Sequence, residues 1–465
     1  MDNQEMTIAQ LKQATLVVAA AFFMQMLDST IVTTALPRIA NDLSVSQSSA
    51  SLVISSYLLA SAVFIPLSGW LARIFQRRTL FLGAVTLFTI SSGLGGLATT
   101  LPMLLCMRII QGMAGSLMIP VGRLMILAHT PAPKLLQILS YLIWPALIAP
   151  AIAPLLGGYI ITYLDWHWIF YINIPIGLLI LLTGHWAIRD HNKPEQNPFD
   201  LLGFLLVSIT GVSLLISSEI LSHGMQSLLL GLLLLIGGIV AGLGAFYHLK
   251  HAKHPLFSLD ALKIPSFRVY QSGGTIFWMT IGALPYLLTL FLQIAFGWNA
   301  VQAGSYVLFI FLGNLIIKPF TTPIIQRLGY RRTIATSLIV ATLSTFGFAF
   351  LTRQTNPILI VSLAFISGIG RSLALTGYNG LSFSELQSQQ KNSANTLQAV
   401  VQMLSQGLGI GFSATLVAIF EQFSSVRTSY SMTFICIGII SIYAIVEILH
   451  LQKDVGAQTL NQSET

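Results

Sequence analysis

Two ionisable residues of this sequence lie deep inside apolar segments. Asp28 stands in the run Phe22–Ile31, about eight residues or 12 Å from the predicted outer end of its helix. Arg108 stands about seven residues, roughly 10 Å, from the outer end of the fourth predicted helix. A charge at such a depth costs about 2.5–3.5 kcal/mol on insertion scales, so it should face a cavity or a partner. The matching depths predict that Asp28 and Arg108 line one cavity and can form an ion pair.

A carboxylic acid, Asp28, next to a cation, Arg108, suits proton exchange. Burial favours a neutral carboxylic acid, and a neighbouring cation favours the carboxylate. Opening the pair would therefore let Asp28 exchange a proton. The alternative is a permanent ion pair that only fixes two helices. We favour proton coupling because ionisable groups deep inside membrane spans are functional by default.

Two more cations, Lys318 and Arg371, lie in the tenth and twelfth predicted helices, roughly 10–14 Å from the inner ends. They either attract anions to an inner cavity or gate, or extend their long side chains to the headgroups. The glycines before Arg371 favour an interior position, because small residues let helices pack closely. We assign both cations, with Gln25, Thr30 and Gln111, to a substrate cavity.

Membrane-spanning helices must position these residues. Charged residues form 8% and hydrophobic residues 54% of the 465 positions, against roughly 25% charged residues in soluble domains. A span needs about 20 apolar residues, and such runs repeat along the whole chain. We predict an all-α polytopic membrane protein with fourteen transmembrane helices, near residues 14–36, 50–71, 79–98, 101–125, 136–163, 168–187, 200–221, 227–248, 270–292, 302–325, 333–352, 357–379, 396–420 and 430–450.

The distribution of basic residues predicts the orientation. An even number of spans puts both termini on one side of the membrane. Most of the 23 Lys and Arg residues then lie in inner segments, whereas only Arg38, Arg353 and Arg427 lie in outer ones. Cytoplasmic loops carry an excess of Lys and Arg, so both termini are predicted to be cytoplasmic. The first apolar run has no small-residue cleavage site after it and is predicted to be a retained helix.

An internal repeat predicts two related halves. The segment Gly69–Leu80 after the second helix resembles Pro323–Ile334 after the tenth. Repeated halves with a substrate site between them are a common transporter plan. Two further helices lie between the halves, which gives six, two and six. The predicted divisions are a six-helix half at 1–190, a two-helix insertion with its joints at 191–268, a second six-helix half at 269–450 and a cytoplasmic tail at 451–465.

The fifth predicted helix combines Pro150 and Pro154 with Gly157 and Gly158. Proline bends a helix, and small residues permit close packing. The stretch is therefore predicted to form a hinge or a seal between the halves. A kinked packing helix is the alternative.

At these residues the chain resembles the major facilitator superfamily, specifically its 14-helix drug:H+ antiporter branch, and most closely the MdtD-type multidrug exporters. The segment Leu27–Pro37 resembles the signature of that branch, and Trp166–Gly177 is the next most specific match. The run Arg108–Gly112 is similar to a fourth-helix motif whose arginine is associated with proton coupling. Pro150–Gly158 resembles the fifth-helix antiporter motif, which implies export.

The loop after the second helix departs from the family pattern. Gly69 agrees with it, but Arg73 replaces the family's aspartate and Gln76 replaces a glycine. In the family this aspartate helps to hold the cytoplasmic side closed by charge pairing. The resemblance therefore implies that this interaction is lost or inverted here. We assign Gly69, Arg73, Arg77 and Arg78 to gating.

These observations lead to one functional prediction and two alternatives. We predict a proton-coupled antiporter that exports small amphipathic molecules or drugs by alternating access. One alternative is an exporter specific for an endogenous anionic metabolite or siderophore. The other is a membrane sensor or scaffold that does not transport, which only Arg73 supports.

Other classes lack support in the sequence. No nucleophile and base pair, phosphate loop or metal-ligand spacing indicates an enzyme, and we expect no metal or cofactor. The basic residues are scattered between spans and do not indicate a nucleic-acid partner. The expected partners are a small-molecule substrate, protons and the lipid bilayer. We expect a monomer in a bacterial plasma membrane, which accessory export proteins could join.

Overall fold

In a computed structural model, the chain is described at residues 8–45, 47–131, 134–188, 198–222, 228–298, 300–452, 455–456 and 459. Within these ranges the chain forms α-helices with a few short 3-10 and π turns, and no strand. The helices are α1 Ile8–Asp42, α2 Gln47–Phe64, α3 Ser68–Ile74, α4 Arg77–Gly95, α5 Leu101–Ala128, α6 Leu135–Tyr163, α7 Trp168–Tyr171, α8 Asn173–Ala187, α9 Leu201–Ser222, α10 Leu228–His251, α11 Pro265–Leu290, α12 Ala300–Ala349, α13 Pro357–Ser384, α14 Lys391–Phe420 and α15 Val426–His450.

The predicted all-α membrane fold is confirmed. Helices of the structure lie at all fourteen predicted segments, with 50–71 divided between α2 and α3 and 168–187 between α7 and α8. Of these spans, 12 are long and apolar enough to cross a membrane. The numbers fourteen and 12 differ for two reasons. Helix α12 contains both the tenth and the eleventh predicted segments in one run of 50 residues. In α6 the apolar stretch within the described residues is only Leu135–Pro150, which is shorter than a full span.

The kink inside α12 lies where the internal repeat places it. Gly329 has φ 78° and ψ 163°, a conformation that residues with a side chain rarely adopt. In the repeated loop sequences Gly329 aligns with Phe75, which separates α3 from α4 with ψ 159°. The first group of six spans is α1–α8, in which α2 with α3 and α7 with α8 each form one span. The second group is α11–α15, in which α12 forms two spans. Both groups therefore turn at the same position of the repeat.

Each of the two groups contains an apolar core, and the core of the first group also includes Phe267, Phe383 and Leu386 of the second. In the first group α1 packs against α6, and α5 packs against α2 and α4. In the second group α11 packs against α14, and α12 packs against α13 and α15. Buried aromatic residues such as Phe88 and Phe434 belong to these cores. Apolar side chains also cover the outer surfaces of the helices, as expected for helices in lipid.

The helices α9 and α10 lie at the edge of the bundle. Only 17% of the most apolar stretch of α10 is buried against other helices. Helix α9 packs along α2 and α14, one helix from each group. Ser208 of α9 donates a hydrogen bond to the Val63 carbonyl of α2 at 3.3 Å, and a Cβ at Gly407 of α14 would lie 2.3 Å from Leu215 Cδ2. The inserted pair therefore covers one of the two seams between the groups, and α6 and α12 form the other.

One face of the bundle is closed by contacts between the groups. This face, called the terminal face, carries the start of α1 and the end of α15. Five described hydrogen bonds between the groups lie near it. These bonds join Arg123 Nη2 to Asn379 Oδ1 (2.6 Å), Asn395 Nδ2 to the Pro120 carbonyl (2.8 Å), Asn392 Nδ2 to the Gly69 carbonyl (3.0 Å), Ser140 Oγ to Thr322 Oγ1 (3.3 Å) and Lys391 Nζ to the Leu127 carbonyl (3.4 Å).

Candidate functional site

Asp28 and Arg108 form an ion pair inside the first helix group. Arg108 Nη1 lies 2.6 Å from Asp28 Oδ2, and both side chains are fully buried. Helix α1 supplies the carboxylate and α5 the guanidinium, at the matching depths that the sequence indicated. A buried pair is stable only when further hydrogen bonds satisfy its remaining donors and acceptors.

The carboxylate is held by two amide side chains. Asn173 Nδ2 of α8 donates to Asp28 Oδ1 at 2.8 Å and also lies 2.9 Å from Ser92 Oγ of α4. Gln111 Nε2 donates more weakly to the same Asp28 oxygen, at 3.4 Å. Side chains of α5 and α8 therefore bond the carboxylate of α1, and Ser92 of α4 contacts Asn173 behind it.

The guanidinium is held through Nε and Nη1, whereas its Nη2 is buried without a hydrogen-bond partner in the described structure. Arg108 Nε donates to the Val53 carbonyl of α2 at 3.0 Å, and Arg108 Nη1 donates to Gln111 Oε1 at 3.1 Å. The Arg108 Cζ atom lies 4.4 Å from the ring centroid of Tyr57, within the range of a cation–π contact. Arg108 is thus linked to α2 as well as to Asp28.

Two glycines of α5 make this close approach possible. A Cβ at Gly112 would lie 2.4 Å from the Tyr57 carbonyl oxygen, and one at Gly115 would lie 2.9 Å from Gln25 Nε2. Neighbouring helices can approach this closely only where side chains are absent. Gln25, a predicted cavity residue, is therefore buried against α5 next to the ion pair.

The other predicted cavity residues do not join this network. Thr30 Oγ1 donates to the Met26 carbonyl of its own helix at 2.8 Å. In the second group, Lys318 Nζ donates to Thr376 Oγ1 at 2.8 Å and Arg371 Nη2 donates to the Thr280 carbonyl at 2.6 Å. The predicted set thus divides into a cluster around Asp28 and two separate buried cations.

The predicted gating residues contact three different partners. Gly69 touches α14, because a Cβ there would lie 2.1 Å from Thr396 Oγ1. Arg73 Nη2 donates to the Leu256 carbonyl in the joint after α10 at 2.7 Å. Arg78 Nη2 donates to the His185 carbonyl of α8 at 2.6 Å, inside the first group. Arg77 is the first residue of α4.

The proline and glycine stretch of α6 packs mainly within the first group. Helix α6 continues as one helix through Pro150, and a Cβ at Gly157 would lie 2.1 Å from Thr34 Oγ1 of α1. A Cβ at Gly158 would meet nothing within 4 Å. The side chain of Pro154 lies outside the described residues.

One more buried cation, Arg123, was not anticipated from the sequence. Arg123 of α5 is 7% exposed, donates to Asn379 of α13 at 2.6 Å and lies 5.0 Å from the Phe383 ring centroid. The Gln398 amide of α14 lies within hydrogen-bonding distance of the same guanidinium. No carboxylate pairs with Arg123 among the described residues. This cluster bridges the two groups at the terminal face.

Asn173 was also missed, although its sequence carried a signal. It is a fully buried amide inside the otherwise apolar run Tyr171–Gly177, in the segment that carries the second family match. A buried amide needs hydrogen-bond partners, but the sequence alone does not show that Asp28 is one of them.

Comparison with known proteins places this architecture in a family. A family model described as "Major Facilitator Superfamily" matches residues 18–410 and 272–463. "Putative multidrug resistance protein MdtD" of Pectobacterium carotovorum is 33% identical over 407 residues, 87% of each chain. The protein of that name in Yersinia enterocolitica is 31% identical over 433 residues, 91% of this chain and 92% of the other.

A solved structure agrees with the fold. The human organic anion transporter MFSD10 (TETRAN) superposes with a TM-score of 0.69 at 13% sequence identity, covering 93% of this chain and 99% of the other. The resemblance to a transporter family, rather than to an enzyme, is therefore confirmed from the family model, from full-length relatives and from the fold. This chain belongs to the major facilitator superfamily.

Proposed function

We propose that this transporter is a proton-coupled antiporter that exports small amphipathic molecules or drugs. The observation that carries the proposal is the fully buried Asp28–Arg108 pair, because an ionisable pair held away from water inside a transporter needs a function that repays its burial. The names of the MdtD relatives supply the substrate class, drugs. The protein is a multi-pass membrane protein, and we infer a bacterial inner membrane with both termini cytoplasmic.

Alternating access gives the ion pair its role. In the described conformation the terminal face is closed by the contacts of Arg123, Asn392 and Asn395. A proton that binds Asp28 neutralises the carboxylate and removes its attraction for Arg108. Because Arg108 is also bonded to α2 through the Val53 carbonyl, loss of the pair frees α1 to move relative to α2 and α5. Protonation then favours one conformation over the other, as coupling requires.

The division of labour follows from these positions. The first group contains the proton site. The contacts of Arg123, Asn392 and Asn395 at the terminal face form the gate. Arg73 donates to the Leu256 carbonyl and so ties α3 to the joint after the inserted pair.

Efflux from proteoliposomes under an imposed pH gradient tests the proposal. A panel of dyes and drugs is compared for the wild type, for Asp28→Asn and for Asp42→Asn. Asp42 is the matched control, because it forms an exposed pair with Arg38. We expect the wild type and Asp42→Asn to extrude a substrate with the gradient, and Asp28→Asn to lose the gradient-driven part. Equal gradient-driven efflux by all three proteins would make Asp28 purely structural.

A second variant guards against misfolding. Asp28→Asn leaves Arg108 as an uncompensated buried charge, which can cost about 3–5 kcal/mol. The double variant Asp28→Asn with Arg108→Gln removes that charge and is tested for the same loss of coupling. Substrate exchange without a gradient shows whether each variant still binds and moves its substrate.

A further inference from the structure

A pocket lies on the seam between the two helix groups, away from the Asp28 site. Its volume is about 470 Å³, within the size range of small-molecule sites. Helix α6 supplies one wall and α12 the other. Its walls include Gln137, Tyr141, Trp144, Lys318, Thr322 and Gln326.

Lys318 is the only charged residue that lines this pocket within the described part of the chain. Its side chain is 4% exposed, and its ammonium donates one hydrogen bond, to Thr376 Oγ1 at 2.8 Å. An ammonium carries three donors. No described carboxylate forms a salt bridge with it. A buried cation without a counter-charge is costly, so an anion in the pocket would be stabilised there.

The remaining walls suit an apolar molecule. Tyr141 and Trp144 are 38% and 41% exposed, so their rings present surface that a ligand can cover. Lys12 Nζ lies 6.0 Å from the Tyr141 ring centroid, which adds positive charge beside the pocket. Aromatic surface next to the buried Lys318 cation matches a molecule with an apolar body and an anionic group.

We propose that this pocket binds amphipathic organic anions. The carboxylate, sulfonate or phosphate group accepts hydrogen bonds from the Lys318 ammonium, and the apolar body packs on Tyr141 and Trp144. A free organic anion and an anionic lipid headgroup share this chemistry. The assignment of such anions as the exported substrate rests on the proposed transport function, whereas the binding site itself does not.

The position of the pocket links binding to conformation. Its two walls belong to different helix groups, which are joined beside it by the 3.3 Å contact of Ser140 with Thr322. Movement of the groups would therefore change the shape of the pocket. A ligand that contacts both walls binds the two conformations with different affinity and so shifts their populations.

Binding of a matched ligand pair tests the proposal. The full chain is reconstituted in phosphatidylcholine nanodiscs and titrated calorimetrically with 2-naphthoate and with uncharged 2-naphthalenemethanol, without any pH gradient. We expect Lys318→Met to weaken naphthoate binding about tenfold or more, as for loss of a charge-assisted hydrogen bond, and to leave the alcohol unaffected. Lys263→Met is the control, because the Lys263 side chain is 82% exposed at the end of a short 3-10 helix.

A second variant keeps Lys318 in place. Gln137→Glu puts a carboxylate on the wall of the pocket and should also weaken naphthoate binding. Replacing part of the phosphatidylcholine by phosphatidylglycerol identifies the source of the anion. If the lipid lowers naphthoate affinity in the wild type but not in Lys318→Met, lipid headgroups occupy the site; if it has no effect, the site selects free anions.

Two results would overturn the site. One is equal naphthoate affinity in the wild type, Lys318→Met and Gln137→Glu. The other is equal affinity of the wild type for naphthoate and for the alcohol. Asp28→Asn mimics the protonated acid and should change naphthoate affinity only through the balance of the two conformations. Lys318→Met should therefore still weaken naphthoate binding in the Asp28→Asn background, so a failure of proton coupling and a failure of this site give different results.

Discussion

Replacing Gly69 by alanine should destabilise the closed terminal face. Gly69 of α3 faces Thr396 of α14 across the boundary between the helix groups. A Cβ at Gly69 would lie 2.1 Å from Thr396 Oγ1, 3.1 Å from its Cβ and 3.3 Å from its Cγ2. Rotation of the threonine side chain relieves the contact only in part: the rotamer that puts Hβ in place of the hydroxyl moves Oγ1 to the present Cγ2 position, 3.3 Å from the new methyl group, and leaves Thr396 Cβ at 3.1 Å.

The size of the effect follows from the contact. Forcing an extra carbon into a packed interface costs about 1–3 kcal/mol. If the groups separate at Gly69 in the other conformation, the substitution destabilises only the closed conformation. The population ratio of the two conformations should then shift by roughly 5- to 140-fold toward the conformation that is open at the terminal face.

Spin-label distances measure this shift. Labels at Gln76 and Ser388, both exposed beside the terminal face, report the separation of the groups after Cys106 and Cys436 are replaced by serine. Gly83→Ala is the matched control, because a Cβ at Gly83 meets nothing within 4 Å. Adding Thr396→Ala should partly restore the closed distance in Gly69→Ala. An unchanged distance distribution in Gly69→Ala would refute the reasoning.

Three further predictions concern other contacts. Asn173→Leu removes the 2.8 Å donor to Asp28, so it should lower the free energy of unfolding by about 1–3 kcal/mol and slow gradient-driven efflux; unaltered thermal unfolding and efflux would argue against a positioning role. Gly112→Ala, whose Cβ would lie 2.4 Å from the Tyr57 carbonyl oxygen, should lower the melting temperature, whereas Gly237→Ala, with nothing within 4 Å, should not; equal melting temperatures would contradict the contact. Arg73→Ala removes the 2.7 Å bond to the Leu256 carbonyl, so amide hydrogen exchange at residues 252–259 should accelerate; unchanged exchange would show that the bond is unimportant.

The sequence was sufficient for the fold because lipid imposes a strong pattern. Apolar runs of the length of a span, bounded by charges, predict each helix. The internal repeat makes the turn at Gly329 equivalent in sequence to the turn at Phe75. The merged α12 was not predicted, because the chain kinks at Gly329 without a loop. Glycine can take the positive φ that makes such a turn compact.

The site was only partly predictable. The depth of a residue along its helix follows from the rise per residue, so Asp28 and Arg108 could be placed at one level and in reach of each other. The rotation of each helix about its axis does not follow from the sequence with the same certainty. The partnership of Asn173 with Asp28, the contact of Gly69 with Thr396 and the turn of Arg73 toward Leu256 depend on that rotation and on packing between distant segments.

Proton movement driven by substrate tests the coupling most directly. Proteoliposomes loaded with a transported dye and a luminal pH indicator are diluted into dye-free buffer without a pH gradient. If the protein is an antiporter that uses Asp28, the outward flow of dye should acidify the lumen in the wild type and should not do so in Asp28→Asn. Dye efflux from wild-type vesicles at constant luminal pH, or with luminal alkalinisation, would contradict proton antiport.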